Sequence, residues 1–253
     1  MKAWRVVWKT PAILVATGII VSVPLIASVV LAPWPRALAR VRARATRWWG
    51  RSLCAILGVT RAVEGGEPPY AGGMVAANHL SYLDILVLAS LYPCLFVAKG
   101  DIASWPLLGW VARASGTVFI HRGLARDLVR ASQVMTDHLK NGLSITIFPE
   151  GSTSAGSKVR PFLPSLLQPA AEGGIPCWAA SLTYEIPGDV IAPSVAVCWH
   201  DGSSLPVHLR RLMGLASIVA RVRFAGTPVM SRDRKELARF LWSSVATNFE
   251  PVR

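Results

Sequence analysis

The sequence predicts an α/β fold: a mostly parallel, layered sheet with flanking helices, preceded by an N-terminal two-helix membrane-associated segment. Three observations predict it. From about residue 64 onward, short β-like apolar runs alternate with amphipathic stretches, the pattern of strand–helix–strand units. Residues 11–32 carry no charge. Arginines at 36, 40, 44, 47 and 51 then recur at steps of four, four, three and four. A chain of 253 residues is long enough to bury a substantial core.

As a helix, residues 11–32 would extend about 33 Å, enough to cross a hydrocarbon core of roughly 30 Å. Pro24 should kink it, which leaves a re-entrant arrangement open. A cleaved signal peptide is the competing reading. The apolar run is longer than the usual core of such a peptide, and no small-residue cleavage site precedes the arginines. Lys2, Arg5 and Lys9 precede the segment and six basic residues follow it closely. The positive-inside bias then puts the C-terminal body in the cytoplasm, on the inner membrane.

On a helix over 35–57 the five arginines form one stripe. Trp34, Leu38, Ala45, Trp49, Leu53 and Ile56 fall largely opposite, with Arg42 as the exception. Such a helix would lie in the membrane plane, arginines toward phosphates and indoles toward acyl chains. The alternative is a core-packed helix with a solvated basic face. Residues 1–60 are therefore expected to anchor, and residues 61–253 to form the α/β body.

The formal net charge is +13, and much of the excess lies between Arg36 and Arg51, beside the apolar segment. That placement favours anionic lipid surfaces over nucleic acid, for which no fold signature is present. Ten tryptophans agree, since indoles prefer the membrane–water interface. Cys54, Cys94, Cys177 and Cys198 lie singly, without CxxC spacing, and read as small buried hydrophobes in a reducing compartment.

In the body, β-rich runs predict strands at 74–77, 94–98, 116–120, 144–148, 177–184, 194–199 and 218–224. Amphipathic stretches predict helices at 82–91, 105–114, 124–140, 162–171 and 232–244. Glycine and proline mark 65–69 and 185–193 as loops.

The chemistry gathers where the strands end. Residues 74–77 are too apolar to be anything but buried, so Asn78-His79 should emerge at the C-terminal end of that strand. In open α/β sheets this is the edge where ligands bind. Ser81 suits the N-cap of the next helix, which carries Asp84 in its first turn. The carboxylate can reach back to one imidazole nitrogen, leaving the other to take a proton from a hydroxyl. This is the logic of a serine-hydrolase dyad with the substrate's own hydroxyl in place of the serine. The alternatives are a structural histidine beside a capped helix, or a pair of metal ligands. His121, His138, His200 and His208 share no ligand spacing with it, so no metal is expected. Phe148-Pro149-Glu150-Gly151 follows the apolar run 144–147. Proline ends the ladder there and glycine lets backbone pass close to a ligand. Glu150 could accept from a substrate hydroxyl or hold the loop; both readings stand. Arg122 follows 117–120 at the same edge, where a guanidinium suits phosphate or carboxylate.

Taken in order, Asn78–Asp84, Ala98-Lys99 with 105–110, 116–122, 148–151 and 175–180 resemble the catalytic core of the 1-acylglycerol-3-phosphate acyltransferase family. The resemblance runs from about residue 74 to 184. It implies an acyltransferase that moves an acyl chain from acyl-CoA or acyl-carrier protein to a lysolipid hydroxyl, with no cofactor. His79 would be the general base and Asp84 its partner. Arg122 would bind a headgroup phosphate, and Glu150, Gly151, Ser152, Thr153 and Lys99 would contribute to substrate binding. Backbone amides near His79 or Gly151 are candidate oxyanion donors. Two departures concern the acceptor. Thr153 stands where lysophosphatidate enzymes carry arginine, and Phe162-Leu163-Pro164-Ser165 stands where the family has a Phe-Lys-x-Gly pattern. Lys158 and Arg160 lie a few residues away and could compensate. Threonine is more similar to the branches acting on lyso-ornithine lipid or lysophospholipids with larger headgroups. A phosphatidate-forming enzyme is the alternative. A lipid hydrolase, a metal-dependent phosphatase using the same His–Asp pair, and a non-catalytic lipid-binding adaptor are the competing classes.

Overall fold

The structure, a computed structural model, describes residues 2–67, 72–121, 125–188 and 191–252. In chain order its helices are α1 (Ala3–Val30), α2 (Pro35–Leu57), α3 (Leu83–Leu91), α4 (Leu108–Ala114), α5 (Ala125–Lys140), α6 (Gln168–Gly173), α7 (Pro193–Ala196), α8 (Leu205–Met213) and α9 (Arg234–Asn248). Its strands are β1 (Val59–Gly65), β2 (Gly73–Ala77), β3 (Cys94–Lys99), β4 (Val118–Ile120), β5 (Ser144–Ile147), β6 (Cys177–Glu185) and β7 (Ile218–Phe224). The strands form one sheet in the order β1-β7-β6-β2-β5-β3-β4. Every pairing is parallel except β6 with β7.

The sheet is covered on both faces, which is why β2 is buried at every position. Side chains alternate between the two cores, as a pleat requires. Val75 and Ala77 join one with α2, α3 and α8, while Met74 and Ala76 join the other with α5, α6 and α9. All four cysteines are free and buried in these cores.

Helix α1 starts earlier than the uncharged run predicts and continues through Pro11 and Pro24. It is long and apolar enough to cross a membrane, and most of its apolar surface is exposed. Its first turns dock on the body through cations. The buried Lys9 ammonium donates to the carbonyls of Leu57 and Leu215, each at 3.0 Å, and Arg5 donates to the Gly214 carbonyl at 3.3 Å. Leu57 ends α2, where carbonyls lack helical partners and a positive charge is favoured. Lys9 is thus a docking contact as well as a flanking charge.

Helix α2 packs against α3 and β3. Leu53, Cys54 and Leu57 belong to the main core, while Arg36, Arg40, Arg44 and Arg51 are exposed. Of the two tryptophans, Trp49 turns inward and donates to Thr17 of α1 at 3.1 Å, and Trp48 stays exposed beside the Arg51 guanidinium.

Three elements depart from the sequence expectations. Residues 194–199 are not a strand: Pro193 opens the short helix α7, having no N–H to donate and a φ already helical. The sheet also has no place for another strand there, because β7 occupies the outer edge of β6 and β1 covers β7. The edge strand β1 is additional, and its Glu64 is paired with Arg221 and Arg223 of β7. So is α8, whose Leu205, His208, Leu209 and Leu212 spacing and Ser204-Leu205-Pro206 start were the available signals. The remaining helices sit close to their expected places. Residues 162–171 divide into a 3₁₀ turn, Pro164–Leu167, followed by α6.

Candidate active site

The site is built where β2 leaves the sheet. Asn78 is buried, and its side chain takes over the ladder toward β6: Nδ2 donates to the Leu182 carbonyl at 2.9 Å and Oδ1 accepts the Leu182 amide at 2.7 Å. With strand pairing completed by a side chain, the backbone of His79 is free to turn out. The amide of His79 donates to Glu150 Oε1 at 2.9 Å, and its carbonyl accepts from the Ser154 amide at 3.0 Å. The carbonyl of Leu80 accepts the Trp199 amide at 2.8 Å.

Four donors converge on the Asp84 carboxylate, whose side chain is fully buried. Oδ2 accepts His79 Nδ1 at 2.8 Å, the Leu80 amide at 2.6 Å and the Ser81 amide at 2.9 Å. Oδ1 accepts the Tyr184 hydroxyl at 2.6 Å. As acceptor from Nδ1, Asp84 fixes the tautomer that leaves the lone pair on Nε2. The imidazole stacks on Phe148, centroids 4.0 Å apart and planes at 14°, and Phe148 lies nearly parallel to Phe96. The ring is therefore held by a face and an edge, with 17% of the side chain open to solvent. Burial and the Asp84 charge raise the Tyr184 hydroxyl well above its ordinary range, so it stays a donor.

The loop after β5 closes the other side. Gly151 turns at φ 80°, in the left-handed region that favours glycine, and its amide returns to the Phe148 carbonyl at 3.1 Å. The Glu150 side chain is wholly buried, and its second oxygen accepts the Arg160 amide at 3.1 Å. Both carboxylate oxygens hold backbone, as the loop-holding reading requires. Burial raises the Glu150 carboxyl above its ordinary value, opposed by the two amides and the Arg160 guanidinium. Ser152 Oγ accepts from Arg160 at 3.0 Å, and the Thr153 hydroxyl donates to the Trp199 carbonyl.

Of the residues singled out by sequence, His79, Asp84, Glu150, Gly151, Ser152 and Thr153 are therefore gathered in one place. Lys99 is exposed at the end of β3, two strands along the same sheet edge, with no bond to this cluster. Arg122 lies outside the described residues. The amides of His79, Leu80, Ser81 and Gly151 all have partners within the protein, so none of these candidate oxyanion donors is free in this arrangement. Tyr184 and Phe148 were not foreseen as site residues. A tyrosine ending a buried strand and an aromatic opening the 148–151 turn were the only signals. Among the described residues no group of three or more His, Cys, Asp or Glu could hold a metal.

The chain is 36% identical over 200 residues to a lyso-ornithine lipid O-acyltransferase of Pseudomonas aeruginosa, covering 79% of this chain and 76% of the relative. The chain belongs to the acyltransferase family. The family's sequence profile, described as acyltransferase, matches residues 61–183 of this acyltransferase, from β1 into β6. A 1-acyl-sn-glycerol-3-phosphate acyltransferase of Neisseria meningitidis is also 36% identical, over 184 residues, 72% of this chain and 71% of the relative. In three dimensions the acyltransferase superposes on the crystal structure of the 1-acyl-sn-glycerophosphate acyltransferase of Thermotoga maritima. The TM-score is 0.64 at 21% identity, over 96% of this chain and 95% of that one, a likeness of fold.

Proposed function

We propose that this acyltransferase transfers an acyl chain from the thioester of acyl-CoA or acyl-carrier protein to the free hydroxyl of a lysolipid. The observation that carries the reading is the Asp84–His79 pair with Nε2 unpartnered among the described residues. The nearby serine hydroxyls are bonded elsewhere: Ser81 to the Leu83 amide, Ser152 to Arg160 and Ser154 to the His79 carbonyl. With no hydroxyl of the described residues against Nε2, the hydroxyl to be activated is the acceptor's own.

His79 Nε2 takes the proton as the lysolipid oxygen attacks the thioester carbonyl carbon. Asp84 stabilises the imidazolium that forms. The tetrahedral intermediate then collapses, the carbon–sulfur bond breaks, and the departing thiolate takes the proton back from His79. Glu150 acts by holding the His79 backbone, with Gly151 shaping the turn.

The acceptor is a lyso-ornithine lipid, a lysophospholipid or lysophosphatidate; relatives of equal identity carry the first and last of these in their names. Thr153, with its hydroxyl turned to Trp199, favours a headgroup other than a bare phosphomonoester. The apolar α1 and the basic α2 favour the inner membrane, with the body on its cytoplasmic face. Membrane lipids and the acyl donor are then the partners, and nucleic acid is not.

Purified protein in detergent, offered labelled acyl-CoA or acyl-carrier protein with lysophosphatidate, lysophosphatidylethanolamine and lyso-ornithine lipid, tests this. Transfer to at least one acceptor, absent in His79→Ala, is expected. Silence across the panel, or equal transfer by His79→Ala, would overturn it.

A further inference from the structure

We infer that Arg160 is a cation that receives the oxyanion, phosphate or carboxylate, of the acceptor's headgroup; this rests on the lysolipid reading above. The guanidinium is already set against the loop that flanks His79. Nη1 donates to Ser152 Oγ at 3.0 Å, Nη2 donates to the Thr153 carbonyl, and Nε stands 3.6 Å from Glu150 Oε2. The Arg160 amide is bound to the same Glu150 whose other oxygen holds the His79 amide. One buried carboxylate therefore spans the base on one side and this cation on the other.

The local sequence fixes the side chain's origin. Pro161 keeps residue 160 extended, and Val159 is buried in the core, so Arg160 is directed away from it. An arginine held at its root loses less freedom when it binds. Each terminal nitrogen carries two N–H groups and has one partner among the described residues, which leaves one donor on each. With 40% of the side chain exposed, these two donors can take an oxyanion as a fork. Among the described residues, the two lysines near this edge lack this preparation. Lys99 and Lys158 are exposed, with no hydrogen bond to the loop.

The test compares acceptors that share a glycerol-linked acyl chain but differ in charge: lysophosphatidate, a carboxylate-bearing lysolipid and uncharged monoacylglycerol. In Arg160→Gln the preference in kcat/KM for the charged acceptors over monoacylglycerol should fall about 10- to 100-fold, carried in KM, as expected for the loss of one charge-assisted pair. Moving the charge should restore it. The Leu163 amide bonds to the Pro149 carbonyl at 2.9 Å and its side chain is 37% exposed, so Arg160→Gln combined with Leu163→Arg returns a cation to the same loop. Which charged acceptor loses more identifies the oxyanion. Equal losses for charged and uncharged acceptors, or an unaltered preference, would overturn the assignment. Equilibrium dialysis of short-chain lysophosphatidate against monoacylglycerol supplies a readout without turnover. If the wild type transfers to no acceptor the reaction fails, while loss of the binding preference in Arg160→Gln still decides for Arg160, and its persistence against.

Discussion

The Tyr184 hydroxyl donates to Asp84 Oδ1 at 2.6 Å from the far side of the carboxylate that holds His79. Both side chains are buried, so neither has water as an alternative partner. In Tyr184→Phe the oxygen Oδ1 loses its donor, and the fold should lose about 1–3 kcal/mol in urea unfolding. Asp84 would also be less firmly oriented. We expect kcat to fall roughly tenfold with KM for the lysolipid little changed, as for an interaction that matters in the transition state. A drop in stability without a drop in kcat would limit Tyr184 to folding.

Asp84→Asn should keep the shape and lose the function. An amide presents both a donor and an acceptor where the carboxylate only accepts, so it favours the imidazole tautomer with the proton on the wrong nitrogen. A loss in kcat of about 10³–10⁴ is expected, by analogy with the serine-protease triad. Steady-state kinetics checks this, with vesicle sedimentation showing that membrane binding survives.

Glu150 gives a pH signature. Its folded carboxyl titrates above its ordinary value of 4.5, chiefly through burial. A raised carboxyl contributes stability that is fully present below the unfolded pKa and is lost as pH rises through the folded one. Glu150→Gln, which cannot ionise, removes that contribution. The stability of the wild type relative to Glu150→Gln should therefore decline as pH rises above about 4.5, read from urea midpoints measured from pH 4 to 7. A flat difference would contradict the raised titration.

Gly50 sets how closely α2 approaches α3. A Cβ there would lie 2.6 Å from the Leu86 carbonyl oxygen and 2.8 Å from the Ser90 amide nitrogen, both backbone atoms. Gly50→Ala gains helix propensity but must push two helices apart, and overpacking of this kind costs about 1–3 kcal/mol. Thermal unfolding in detergent should show a lowered midpoint. A raised one would mean that the helices separate freely.

Much of this protein was determined locally. The strands carrying the site were legible because β2 and β5 are apolar runs cut off by Asn78 and by Pro149, and a buried strand needs little more than that. His79 and Asp84 were legible because five positions across one tight turn bring them together without help from elsewhere. The strip of arginines on α2 was legible from its period, but not the use of its opposite face. Only packing decided that Leu53, Cys54 and Leu57 enter the main core, and that Lys9 caps the end of α2 across 48 residues. Tertiary structure alone also brought Tyr184 to Asp84, Arg160 to Ser152 and Trp199 to Leu80. Residues 194–199 have strand-like composition, yet the edge they would join is taken by β7, so they fold as α7 and a clamp. Composition and period record what each segment prefers by itself. Which partner meets it depends on the sheet order, and that is fixed only when the whole core is buried at once.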